Sequence, residues 1–163
     1  MSTPFDLLLA ASLPRVHRAA LGLLGDEQEA REIAQEALLR AHRARDRYDP
    51  ARPFYPWLYR IVRNACADAR DRRRHQAVSG LDSDRVSSPE GSALDAIGQR
   101  EAIDRVRAAM ETLTEEHREI LSLRHFQDLS YSEIAQVLGL PKGTVMSRLY
   151  RARAALTLAL EMT

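Results

Sequence analysis

Between Ser130 and Arg153 the chain sets a hydroxyl, a carboxylate and a row of cations at spacings suited to gripping an anion rather than to breaking a bond. Ser130 followed three residues later by Glu133 is a capping box: the hydroxyl accepts one free backbone N–H and the carboxylate accepts another, so a helix starts there. Ile134, Val137 and Leu138 give that helix an apolar face, and Ala135 is small enough for a second helix to cross closely. Gly139 supplies the left-handed residue that stops a helix, and Pro141 suits the first turn of the next. In the second helix Val145, Leu149, Ala152 and Leu156 fall on the buried side, which leaves Lys142, Ser147, Arg148 and Arg151 outside. From Leu140 to Ala155 the cations are Lys142, Arg148, Arg151 and Arg153 with no carboxylate, a local +4 in a chain whose formal net charge is +1. The spacing predicts a helix-turn-helix whose second helix enters the DNA major groove while its cations meet phosphates. A helical hairpin with a solvated basic face is the alternative that spacing alone leaves open.

A second stretch has the composition for a different contact. Tyr48 to Trp57, YDPARPFYPW, gathers three prolines and several aromatics in a chain that is only 6% aromatic. The following Leu58 to Arg74 carries Arg60, Arg63, Arg70, Arg72, Arg73 and Arg74 against Asp68 and Asp71, six minus two, or +4. Single-stranded nucleic acid needs cations for its phosphates and flat faces for its unstacked bases. Trp57 and Tyr59 are themselves read as core residues.

The elements that must hold these stretches read as helices throughout. Pro4 to Leu24 has apolar residues near a 3.6 period, interrupted at Pro14, and is expected to be a helix or a kinked pair. Asp26 caps the next helix, of about 20 residues, whose first turns hold Glu27, Glu29 and Glu32 where the helix dipole favours carboxylates. Its apolar side is Ala30, Ile33, Ala34, Ala37, Leu38 and Ala41, while Gln35, Glu36, Leu39, Arg40 and Arg43 lie further round, free for a partner protein. After Arg74 the chain loses periodicity and collects Ser, Gly, Asp and Pro, a linker. Helix resumes over Ala96 to Leu113, with Ile97, Ile103, Val106, Ala109, Met110 and Leu113 on one face, and again over Glu115 to Phe126, capped by Thr114 and burying Ile120, Leu121 and Leu123. The expected fold is all-α, with two small helical domains, residues 1–75 and 96–163, on a flexible linker at 76–95.

Composition excludes several function classes. No apolar run approaches the roughly 20 residues that span a bilayer, and no basic segment precedes the N-terminal apolar stretch, so a cytoplasmic protein without membrane insertion is expected. A single Cys66 and five scattered His give neither a disulfide nor a metal set. With no nucleophile and base pair and no Gly-rich phosphate loop, the expectation is no catalytic residue, no metal and no cofactor. Only one of the 24 basic residues is Lys, so nearly every cation has the planar guanidinium that suits phosphate and guanine. A GC-rich genome would produce the same bias.

Three stretches together resemble the extracytoplasmic-function class of bacterial sigma factors, the smallest members of the sigma-70 family. GDEQEAREIAQEALLRAHRARDRYD is similar to the family's core-polymerase-binding segment, PFYPWLYRIVRNACADARDRRR to its promoter-melting segment, and LTEEHREILSLRHFQDLSYSEIAQVLGLPKGTVMSRLYRARAAL to its C-terminal helix-turn-helix domain. The resemblance implies two helical domains without an enzyme active site, core RNA polymerase and promoter DNA as partners, and an anti-sigma factor as a third. It assigns Ile33, Gln35, Glu36, Leu39 and Arg40 to docking on core polymerase, with Arg31 where the family usually has a carboxylate. It assigns Tyr48, Arg52, Phe54, Tyr55, Arg60, Arg63 and Asn64 to the -10 element, where extruding a base costs a few kcal/mol that a pocket must offset. Lys142, Thr144, Met146, Ser147, Arg148, Tyr150 and Arg151 fall at positions for the -35 element, with Met146 where the family often has Lys or Arg.

Two other readings fit parts of the chain. A stand-alone helix-turn-helix regulator would bind operator DNA, but needs neither the Pro and aromatic loop beside an Arg-rich helix nor an acidic docking helix. A degenerate relative that only sequesters an anti-sigma factor would not need the basic recognition helix.

Overall fold

The computed structural model describes residues 3–80 and 95–163, and among these every regular element is helical. Thr3 opens α1 (Pro4–Ala11) by accepting the Asp6 N–H while the Asp6 carboxylate accepts its own. The chain then bends by 44° into α2 (Leu13–Leu24), because Pro14 fits only the first turn of a helix. Gly25 at φ 74° ends α2, and the Asp26 carboxylate accepts the Glu29 N–H at 2.7 Å to start α3 (Glu27–Arg43). A short 3-10 turn, Arg45–Arg47, leads through the proline-punctuated loop into α4 (Phe54–Val78). Helix α4 thus continues through residues 76–78 of the expected linker, whose residues 81–94 lie outside those described.

The second half comprises α5 (Asp95–Thr112), α6 (Glu115–Leu121), a π-helical turn at Ser122–Phe126, α7 (Tyr131–Leu138) and α8 (Lys142–Glu161). Thr114 caps α6 as its sequence predicts, accepting the His117 N–H at 3.3 Å. Arg118 on α6 is buried and donates to the carbonyls of Met110, Glu111 and Leu113 at 3.1, 3.3 and 2.8 Å. A cation at a helix C-terminus satisfies acceptors that have no intrahelical partner, so this one side chain locks α5 to α6.

In the first half Ala19, Ala20, Ala30, Ala34 and Ala37 are fully or almost fully buried, which lets α2 and α3 approach closely while Leu58, Tyr59 and Val62 of α4 fill the third side. In the second half Ile120, Leu123, Ile134, Val145, Leu149 and Ala152 form the corresponding core. A single continuous buried cluster joins the two. The two helical halves are in contact, α2 with α6 and the π-helical turn, and α4 with α7. On α5, Ala109, Met110 and Leu113 are buried, whereas Ile97, Ile103 and Val106 are exposed. Ile103 and Val106 instead face Leu21, Met110 and Phe126 across an open apolar cleft of about 560 Å³. Among the described residues no single helix is long and apolar enough to cross a membrane, and the bent α1–α2 pair that passes by length and composition turns Val16, Ala19, Ala20 and Leu24 into the core.

Candidate nucleic-acid interface

The helix-turn-helix is built from local contacts. Ser130 N–H donates to Glu133 at 2.7 Å and Glu133 N–H donates to Ser130 Oγ at 3.2 Å, closing the predicted capping box. The Ser130 N–H, and after it the Ser130 hydroxyl, hold the Glu133 carboxyl below the usual glutamate range. Gly139, at φ 65° and ψ 37°, ends α7, and Leu140 N–H donates back to Ala135 O at 3.0 Å, so the chain turns within a few residues into α8. Val145, Leu149 and Ala152 seat α8 on α6 and α7, whereas Leu156 is only partly buried. The opposite face presents Lys142, Met146, Ser147, Tyr150 and Arg151, with Tyr150 76% exposed and Met146 52% exposed. Thr144 and Arg148 are half-buried, and the Arg148 guanidinium lies 3.9 Å from Glu116 on α6. A cationic, aromatic-bearing helix face on a rigid two-helix support is the geometry that reads a major groove.

The loop at Tyr48 is preformed. Tyr48 OH donates to Arg52 O at 3.0 Å, and Asp49 Oδ1 accepts the Ala51 N–H at 2.9 Å. Tyr48, Phe54 and Trp57 pack on one another with centroids 5.2 to 5.8 Å apart. Phe5 of α1 completes the cluster, 6.0, 5.7 and 5.9 Å from those three rings. All four are partly accessible, so the assembly offers a stacking surface, and Trp57 is less buried than its sequence reading proposed. Arg52, Arg60, Arg63 and Asn64 are exposed in a line from the loop along α4. Tyr55 is the exception among the candidates. It is only 8% exposed, its ring lies under the Arg15 guanidinium at 3.4 Å, and its hydroxyl donates to Gln127 of the second half. Burial pushes its hydroxyl up to about 12.

On α3 the docking candidates divide in the same way. Gln35 and Leu39 are exposed, Leu39 by 58%. Glu36 and Arg40 are half-buried and paired, and Arg40 also donates to Asp68 of α4 at 2.7 Å, which raises its already high affinity for a proton. Ile33 is a correction: it sits in the core at 5% exposure, because its position in the helical repeat matches Ala30, Ala34 and Ala37 rather than the outer face.

Sequence reasoning missed three contributors. Phe5 carries no local signal of its role, since its ring partners lie more than forty residues away. Arg118 reads as one more surface cation until its three carbonyl acceptors are in view. Glu119, on the same helix, accepts from Tyr59 OH at 3.0 Å and lies 3.6 Å from Arg63. Its burial raises the carboxyl above the usual range, against the pull of Arg63 and Tyr59. Cys66 is buried, with its thiol pushed up to about 12, so it offers no thiolate at neutral pH. Among the described residues no group of three or more His, Cys, Asp or Glu side chains is placed to hold a metal ion.

Residues 8–76 match the family model described as sigma-70 region 2, and residues 103–156 match that for sigma-70 region 4. The RNA polymerase sigma-H factor of Pseudomonas aeruginosa is 36% identical over an alignment covering 96% of this chain and 86% of the relative. The ECF RNA polymerase sigma factor SigL of Mycobacterium tuberculosis is 37% identical, covering 88% and 81%. Among solved structures, the sigma factor RpoE of Bartonella quintana in complex with the anti-sigma factor NepR aligns with a TM-score of 0.67 at 25% identity, covering 96% of both chains. CnrH in complex with the cytosolic domain of CnrY aligns with a TM-score of 0.66 at 28% identity, covering 97% and 88%.

Proposed function

Because the chain belongs to the sigma-70 family, in its extracytoplasmic-function group, and directs RNA polymerase to promoters, we propose that its exposed surfaces divide that work between three contacts. The outer face of α8, with Lys142, Thr144, Met146, Ser147, Arg148, Tyr150 and Arg151, reads the -35 element. The aromatic cluster and the line Arg52, Arg60, Arg63 and Asn64 take the non-template strand of the -10 element, where rings accept an unstacked base and guanidinium groups accept phosphates. Phe54 and Tyr48 form the wall of that site, and Tyr55 supports it from beneath. Gln35 and Leu39 dock on core polymerase, with Glu36 and Arg40 fixing the rotation of α3 against α4.

The observation that carries this reading is the exposed basic face of α8 held on a capped two-helix support. The protein acts by binding and positioning in the cytoplasm and performs no bond chemistry of its own. The sigma factor RpoE of similar structure is bound to an anti-sigma factor, and a partner of that class is proposed here too. The test is run-off transcription with core polymerase and this chain on a promoter library. A transcript set sharing two spaced elements is expected; transcription indistinguishable from core polymerase alone would refute the reading.

A further inference from the structure

From Lys142 to Arg151 the exposed residues of α8 are Lys142, Gly143, Met146, Ser147, Tyr150 and Arg151, so the face is cationic only at its two ends. Arg148 does not fill the middle, because its guanidinium turns to α6, 3.9 Å from Glu116, and its side chain is only 22% exposed. Nor does Ser147 bring a free donor, since its hydroxyl donates to the Thr144 carbonyl of its own helix at 3.1 Å.

What the middle offers instead is apolar. Met146 and Tyr150 are 52% and 76% exposed. Four residues apart, they are neighbours on the helix surface. Among the described residues no ring stacks on Tyr150 and no group hydrogen-bonds its hydroxyl. Gly143 lies on the same face, in the first turn of α8. A Cβ there would meet nothing within 4 Å, so the core does not require the glycine. Its effect is outside, where the missing side chain lets the floor of a groove approach the helix backbone. In the major groove adenine and guanine present donors and acceptors to polar side chains, whereas thymine adds an apolar group, its C5-methyl. Cytosine lacks that group unless it has itself been methylated at C5.

We propose that Met146 and Tyr150 select pyrimidines bearing a C5-methyl group in the -35 element, thymine or 5-methylcytosine, over unmodified cytosine. This rests on the reading of α8 as the -35 helix. Methionine suits the role because its flexible thioether moulds to an irregular apolar surface, whereas a cation at 146 would seek a guanine edge or a phosphate. The test uses holoenzyme of core polymerase and this chain on a promoter recovered by run-off transcription. Each thymine of the -35 element, on either strand, is replaced in turn by deoxyuridine, which lacks only the methyl group. At one or two positions affinity is expected to fall about fourfold, the equivalent of one buried methyl-sized group. Met146→Ala and Tyr150→Ala, both exposed changes that leave the core intact, should each bind thymine and deoxyuridine alike at one of those positions. Placing cytosine or 5-methylcytosine there separates the two sources of the methyl group. The methylated base should bind about fourfold more tightly, and equal affinity for the two would overturn the methylcytosine half of the proposal. Deoxyuridine bound as well as thymine at every position, a -35 element with no thymine on either strand, or a methyl effect that survives in both variants would overturn the methyl readout while the transcript itself upholds the sigma reading. Absence of any transcript would instead refute the sigma reading, and the methyl readout with it.

Discussion

The helix-turn-helix and the proposed melting surface are of opposite construction. In the former the caps and the turn are closed by contacts that span a few residues: Ser130 to Glu133, Ala135 to Leu140, Pro141 to Val145. In the latter the positioning contacts join distant parts of the chain: Phe5 to Tyr48 and Trp57, Arg40 to Asp68, Arg73 to Glu29. A surface made from neighbours in sequence can be shaped by its own caps and turns, whereas one made from distant residues depends on the core that brings them together. The two should therefore fail differently when damaged.

The largest effects come from the core, where the contrast should vanish. Leu58→Ala in the first half and Leu149→Ala in the second, both fully or almost fully buried, should each cost about 2 to 5 kcal/mol. Because one buried cluster joins the halves, calorimetry should show both variants lowering a single transition. Two transitions, with each variant moving only one, would show that the halves unfold as independent bodies. Next is Arg118→Ala, which leaves three buried or half-buried carbonyls without their charged donor and should cost about 2 to 3 kcal/mol. Chemical denaturation measures it, and a cost within experimental error of zero would deny this residue its structural role.

Local and distant construction also explains what was legible in the sequence. The Ser130 capping box, Gly139, Pro141 and the outward cations of α8 were readable because each signal acts within one turn of helix. The apolar face of α3 was readable from period alone. Ile33 was misplaced because the resemblance assigned it to a docking face, while its own periodicity with Ala30, Ala34 and Ala37 pointed inward. Phe5, Arg118 and Glu119 were opaque, since each takes its meaning from a partner that only the folded chain supplies. The exposed Ile103 and Val106 belong to the same class: period marks a face as apolar but does not say what covers it.

Smaller substitutions sharpen the contrast. Ser130→Ala removes one half of the capping box and should cost about 1 kcal/mol, weakening -35 binding in footprinting while the -10 region still melts. Phe5→Ala removes three ring contacts, each worth about 0.5 to 1.5 kcal/mol, and should impair melting while the -35 footprint persists. Equal damage to both elements by either variant would erase the distinction. The smallest effect is that of pH on the seam. Glu119 faces Tyr59, Arg63 and Glu115, and burial raises its carboxyl in the folded chain, so folding takes up a proton. The stabilisation from this group is present below the ordinary glutamate value of 4.5 and is lost as pH rises through the raised one. Denaturation at pH 7 and at mildly acidic pH should differ less in Glu119→Gln than in the wild type; an unchanged difference would remove Glu119 from the seam.

The division of labour between the two DNA surfaces is tested most directly by permanganate reactivity of unpaired thymines in complexes of core polymerase with Asn64→Ala or Arg151→Ala. Asn64→Ala is expected to retain the -35 footprint and lose reactivity at the -10 element of duplex promoter. Reactivity should return on a promoter premelted by mismatches, where the unpairing cost of a few kcal/mol is already met. Arg151→Ala is expected to lose the upstream footprint, by about 1 to 3 kcal/mol of affinity if it contacts a base, and to melt normally once enough protein is added. Full melting of duplex promoter by Asn64→Ala, or a melting defect in Arg151→Ala that excess protein does not relieve, would contradict the assignment of melting to the first half and upstream recognition to the second.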